Sequence, residues 1–366
     1  MKRLLLAAAG LCVAASAASA QTYQRIQGPI TPLRIDDQGR VGPGVAWSPF
    51  ADTPGTTFSN VTTSGFFGQP LVAEEWVDWG VKAGALSGVT CTLEFAYGTT
   101  AVDPTLGGPG ADIEIAVYEG TLGTCTVGDV ATEARRLSFT GLPGSLDGNP
   151  AGFTVTVDLA GDGFLLADGP VGWSYVGVDG VTGPLLITVG SDPTSTVDGF
   201  DLYVPSPAAT GICLGTFGFP TTGVGSFYLR LEEDDATEPG SQTPRAGTGV
   251  NVGVLSVGTQ LPKIGQAWDP SITTPAVGTP VLDFLALSSI STPPIFVPGF
   301  GELLIGVVAP NPLAVIAGPV GSGSPFAVPF PLNCNFIGVS LTSQAGQVDT
   351  IGAIALTDAV DFTIGI

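Results

Sequence analysis

Residues 152–187, GFTVTVDLAGDGFLLADGPVGWSYVGVDGVTGPLLI, constrain the fold more than any other stretch. Phe153, Val155 and Val157 alternate with Thr154, Thr156 and Asp158, the two-residue period of a strand with one buried face. Asp162-Gly163, Asp168-Gly169 and Asp179-Gly180 then follow as turn dipeptides, because glycine takes positive φ without steric cost. The stretch reads as consecutive short strands joined by tight turns. Gly172-Trp173-Ser174-Tyr175 supplies two large aromatics for the core of a sandwich.

The first twenty residues read differently. Lys2 and Arg3 precede an apolar run, and Ala18-Ser19-Ala20 offers small residues before Gln21, the pattern of a cleaved export signal. The run is too short for a membrane anchor, and Leu11 before Cys12 argues against lipid attachment. Without Lys2 and Arg3, the eleven basic residues become nine against 32 acids, a net charge of −23. That excess repels phosphate backbones, so nucleic acid is excluded as a partner, and anionic membrane surfaces are disfavoured. Histidine is absent. This removes Ser-His-Asp and Cys-His catalysis, HExxH metalloproteases, and the usual zinc and haem sites.

Four cysteines follow the leader: Cys91, Cys125, Cys213 and Cys334. An exported chain favours disulfides. Cys91 opens one expected strand and Cys125 follows the next, so antiparallel neighbours predict a Cys91–Cys125 bond. Cys213 and Cys334 then either tie two domains together or stay free.

Residues 21–231 are expected to form a first domain. Its opening, 21–70, is weakly patterned and reads as an extended segment with one or two edge strands. Residues 89–97, 112–118 and 226–231 read as strands, 137–148 as a strand and a turn, and 201–204 and 217–219 as short strand candidates. Residues 232–249, EEDDATEPGSQTPRAGTG, turn acidic and then Pro/Gly-rich without apolar period, and read as a linker. Residues 250–366 hold further strands at 281–287, 302–309 and 336–342, and end on the alternating DAVDFTIGI. The apolar run 303–317 is broken by Pro310 and Pro312, so the mature chain is expected to carry no transmembrane segment. The expected fold is all-β: two antiparallel β-sandwich domains, jelly-roll or Ig-like, joined by an acidic Pro/Gly-rich linker.

Candidate chemistry is sparse. Trp76 and Trp79 stand among acids and could form a ligand-binding platform for a sugar, although they alternate onto opposite strand faces. Asp192, Asp198 and Asp201, in SDPTSTVDGFD, are the candidate ligands for calcium, which prefers oxygen donors. Asp36-Asp37-Gln38-Gly39 lacks that spacing and reads as a turn. Asp112 and Glu114 share a strand face, but Gly110 stands where a laminarinase-like glycosidase needs its nucleophile. No GxSxG, Ser-x-x-Lys or Asp-Thr/Ser-Gly motif occurs.

Leu142-Pro143-Gly144-Ser145, Val157-Asp158-Leu159, Gly172-Trp173-Ser174-Tyr175 and Thr182-Gly183-Pro184-Leu185-Leu186 form one familiar combination. Asn335-Phe336-Ile337-Gly338-Val339, Gln344, Ala355-Leu356-Thr357-Asp358 and Phe362-Thr363-Ile364-Gly365 form a second. Together they resemble uncharacterised secreted β-rich proteins of planctomycete-type bacteria. The resemblance implies a shared fold and export, and carries no activity. Residues 340–344, SLTSQ, read as exposed-to-buried alternation and not as a site. The expected function is that of a secreted, non-enzymatic binding protein for polysaccharide or cell-surface components. The alternative is a structural component of the envelope or matrix, and a glycoside hydrolase-like enzyme is the remote one.

Overall fold

The structure is a computed structural model. It describes residues 22–366 except 26, 29, 36–54, 61–62, 83–87, 104–109, 121–124, 126–131, 160, 189–199, 218–223, 234–238, 290, 309, 319 and 321–322. Among the described residues, regular structure is strand throughout, apart from one 3-10 turn at Cys334–Phe336.

Two large sheets build the N-terminal region. One has ten strands and is centred on the long strand Val89–Thr99, which pairs with Ala151–Asp158, Leu229–Glu233 and Thr182–Thr188. The other has six, in the order Ile212–Phe217, Phe200–Val204, Glu75–Lys82, Gly169–Gly177, Ala111–Glu119 and Thr132–Leu142. Both contribute to one core. Leu93, Phe95, Tyr97 and Val155 of the first meet Trp76, Ile115, Trp173 and Tyr175 of the second. Each such side chain contributes about 1.5–3 kcal/mol by leaving water. The two aromatics expected in the core, Trp173 and Tyr175, are fully buried there. The turn at Asp179-Gly180 forms as anticipated: Asp179 Oδ1 accepts from the backbone of Val181 and Thr182 at 2.9 and 2.8 Å, and Gly180 takes φ +71°.

Residues 21–70 depart from expectation. Their described residues form four strands, and Thr63–Gln69 is internal, pairing with both Thr22–Arg25 and Thr182–Thr188. Pairing is not wholly antiparallel either, because Thr31–Ile35 runs parallel to Ala151–Asp158.

In the C-terminal region a five-stranded sheet runs Ser241–Arg245, Ile354–Thr363, Ser340–Asp349, Pro280–Ser288, Ala314–Gly318. Three two-stranded ribbons flank it, one of them the hairpin of Ser291–Val297 and Gly301–Ile305. Leu255, Trp268, Leu285, Phe326 and Phe362 form a second core, which also takes in Val89 and Cys91 from the start of the long N-terminal strand.

The expected linker is corrected at both ends. Glu232 and Glu233 complete the strand Leu229–Glu233, and Glu233 is buried in an ion pair with Lys82 at 2.5 Å. Ser241–Arg245 is an edge strand paired with the last strand of the chain. Its polar composition suits an edge, where Pro244 is tolerated. Residues 234–238 lie outside the described residues.

The expected cysteine pairing is also corrected. Cys91 is bonded to Cys334 and Cys125 to Cys213. The strands that carry Cys91 and precede Cys125 belong to different sheets and are not antiparallel neighbours. Cys91 sits at the end of its strand that enters the second core, where Cys334 waits. Cys125 instead meets Cys213 on the edge strand of the six-stranded sheet.

Candidate functional site

The five-stranded sheet presents two unlike faces. In its edge strand, Gln242 points inward and accepts from Trp268 Nε1 at 2.8 Å. Ser241, Thr243 and Arg245 must therefore point outward. The register aligns hydroxyls across three strands. Ser241 lies beside Thr363, which lies beside Ser340; Thr243 lies beside Asp361, which lies beside Thr342. This outer face is open at one end and covered at the other by the hairpin. Between them is a cleft of about 300 Å³, whose rim adds the hydroxyls of Ser289 and Ser291.

Arg245 joins the cover to the floor. Its Nη2 donates to Leu304 O at 2.7 Å and to Thr342 Oγ1 at 2.8 Å, and its Nη1 to Thr292 O at 3.2 Å. Its Nε pairs with Asp361 at 2.9 Å. Thr342 also donates to Asp361, at 2.7 Å. Gln344, one row further in, anchors the hairpin: its Oε1 accepts from Leu304 N at 2.9 Å, and its Nε2 donates to Glu302 O at 2.8 Å. The cleft thus offers a row of hydroxyls, each donor and acceptor, around one carboxylate whose charge is already matched.

Trp76 and Trp79 do not form a platform. Strand alternation sends them to opposite faces. Trp76 is fully buried, stacked on Phe200 with 4.4 Å between centroids, and its Nε1 donates to Glu74 at 3.2 Å. Trp79 is half-buried on the outer face. Asp192 and Asp198 lie outside the described residues. Asp201 is buried beside the sulfurs of Cys125 and Cys213. That is not a calcium environment, which calls for several oxygen ligands. Asp112 and Glu114 are engaged in the fold: Asp112 accepts from Gly141 N at 2.9 Å, and Glu114 from Arg136 at 2.5 Å and Ser138 at 2.9 Å.

Sequence reasoning missed the cleft. Its signal was present as Ser/Thr or Asp at alternate positions: Ser241 and Thr243, Ser340 and Thr342, Asp361 and Thr363. The first pair fell in the expected linker, and the second was read as plain alternation. No protein-family model matches the chain, and no curated protein is significantly similar to it.

Proposed function

We propose that this is an exported, non-enzymatic binding protein that holds a neutral, hydroxyl-rich ligand, a polysaccharide segment, in the cleft of the C-terminal sheet. The observation that carries this reading is the hydroxyl-lined floor around the Arg245–Asp361 pair. Vicinal sugar hydroxyls need groups that both donate and accept. The ion pair leaves the floor without net charge, which favours a neutral ligand over an ion. Export is supported by the leader pattern and by two disulfides, which persist in oxidising compartments. No helix among the described residues is long and apolar enough to cross a membrane. The two cores support two sandwich-like units, jelly-roll or Ig-like, the second of which takes in Val89 and Cys91 from the first sheet.

The test is migration of the purified protein through gels cast with a panel of polysaccharides. One polymer is expected to retard it, with or without chelator. The Ser340→Ala/Thr363→Val double variant loses two hydrogen bonds, about 1 kcal/mol each, so affinity should fall about tenfold to thirtyfold. Uniform migration across the panel, or retardation unchanged in the double variant, refutes the reading.

A structural role in an envelope or matrix has its own support. Phe296, Val308 and Ile351 are 60%, 81% and 86% exposed, and exposed apolar surface marks protein contacts. Sedimentation of the full chain distinguishes the two: self-association at micromolar concentration favours assembly, and a monomer favours binding.

A further inference from the structure

We propose that Cys125, Cys213 and Asp201 form a thiol-gated site for a borderline-soft divalent cation, zinc above all, closed by the disulfide and opened by its reduction. The site shares no residue with the cleft.

The two sulfurs and a carboxylate oxygen of Asp201 all lie within 4.8 Å of one another. Asp201 is 2% exposed. The Thr216 hydroxyl and the Cys125 backbone hold its carboxylate in place. Its second oxygen, Oδ2, is buried and has no hydrogen-bond partner. A buried acceptor left unmade is costly, and this one is gathered with two sulfurs. An anchored first oxygen and a free second one is also how outer-shell partners orient a monodentate carboxylate ligand.

The frame is rigid. Asp201 and Cys213 stand on adjacent antiparallel strands, with Asp201 opposite Thr216 and Tyr203 opposite Cys213. Cys125 arrives from the segment after Ala111–Glu119. Two thiolates and one carboxylate suit zinc, with its fourth position open to water, and do not suit calcium. In the oxidised protein the sulfurs are bonded to each other and offer no thiolate.

The opening step balances with a phosphine reductant. The phosphine gives two electrons to the S–S bond and takes the oxygen of one water, leaving as its oxide. The two water protons end on the two sulfurs. Metal binding then displaces both thiol protons to solvent, and the S–metal bonds form. The metal replaces the disulfide as the tether between Cys125 and Cys213.

The experiment uses the full chain carrying Cys91→Ser and Cys334→Ser, so that only the Cys125–Cys213 bond can be reduced. Cobalt(II) is titrated anaerobically, before and after treatment with tris(2-carboxyethyl)phosphine. The reduced protein should bind one equivalent with thiolate-to-cobalt charge-transfer absorption, and zinc should discharge that band. The oxidised protein should bind none. Adding Cys213→Ser should abolish the band, and Asp201→Ala should weaken binding at least about tenfold. If the serine pair costs the fold, reduced wild type compared with reduced Cys213→Ser isolates the same site. The proposal is overturned by the absence of a band after reduction, by a band that survives Cys213→Ser, or by loss of the β-sheet circular dichroism on reduction.

Discussion

Replacing Glu75 should destabilise the protein more than any other single change on the outer face of the six-stranded sheet. Glu75 is completely buried. Its carboxylate accepts from Tyr118 Oη, from Ser174 Oγ at 2.5 Å, from Ser206 Oγ at 2.9 Å and from Ala208 N at 2.6 Å. Arg136 lies 3.3 Å away and also holds Glu114 and Glu133. Glu75→Ala strips the acceptor from four donors while leaving Arg136 paired. A buried donor left unmade costs about 1–3 kcal/mol, but water entering the vacated space recovers part of that. Four such donors, less what water recovers, give an expected loss of about 3–5 kcal/mol. Glu75→Gln should cost less, about 1.5–3 kcal/mol, the range for hydrogen bonds to a charged group. Its amide oxygen can serve Ala208 and Ser206, and the hydroxyls of Tyr118 and Ser174 can rotate to accept from its NH₂. Tyr118→Phe removes one donor and should cost about 1 kcal/mol. Denaturant unfolding followed by tryptophan fluorescence measures all three, and Trp76 adjoins the site. The m-value should not change. A loss below 1 kcal/mol for Glu75→Ala, or Gln as costly as Ala, would refute the idea that this carboxylate organises the cluster.

Three further expectations follow from local geometry. The Cys91–Cys334 bond spans 243 residues of sequence, for which chain entropy gives about 5 kcal/mol; a clearly lower melting temperature of the Cys91→Ser/Cys334→Ser protein checks this. A Cβ at Gly177 would collide with the backbone carbonyl of Leu71, whereas one at Gly278 meets nothing within 4 Å; Gly177→Ala should cost about 1–3 kcal/mol and Gly278→Ala almost nothing, by denaturant midpoint. Burial, then the nearby Glu302 charge, raises the Asp358 carboxyl above its ordinary value. The folded state therefore favours the protonated form, and this contribution is full below the ordinary aspartate value and lost as pH rises through the folded one. Asp358→Asn should flatten that fall in a pH series of melting curves.

The strands Val89–Thr99 and Ala111–Glu119 were legible because apolar and polar residues alternate along them, even though Val89–Thr99 is buried on both of its faces. Leu93, Phe95 and Tyr97, and Ile113, Ile115 and Val117, sit inward as their spacing implies. Sheet membership was not legible. Val89–Thr99 and Ala111–Glu119 follow each other in sequence but enter different sheets, and the cysteine pairing depended on that choice. Edge strands were the other blind spot. Ser241–Arg245 is exposed or half-buried along its length, so it shows no apolar period and looks like a linker. The cleft was hidden for the same reason. Its hydroxyls come from three separated segments, and only the register brings Ser241, Thr363 and Ser340 into one row. Asp201 was flagged for its charge, but no spacing in the sequence revealed that its neighbours are sulfurs.

The second core borrows from the first sheet, and this makes the C-terminal region dependent on the rest of the chain. Val89 is 2% exposed within that core, and Cys91 brings a disulfide to Cys334. A fragment of residues 239–366 would lose about 1.5–3 kcal/mol from the missing valine and the whole contribution of the bond. Those losses together rival the 5–15 kcal/mol typical of a folded domain. The fragment should therefore unfold at a much lower temperature than the same residues in the intact chain, with poorly dispersed amide resonances. A cooperative melt at the temperature of the full protein would show that Val89 and Cys91 only decorate a core that is complete without them. Adding back the strand Val89–Thr99 alone tests neither outcome, because its other residues belong to the first core. The informative partner is the complementary fragment, residues 21–238, whose oxidation onto the C-terminal fragment through Cys91 and Cys334 should restore the missing stability.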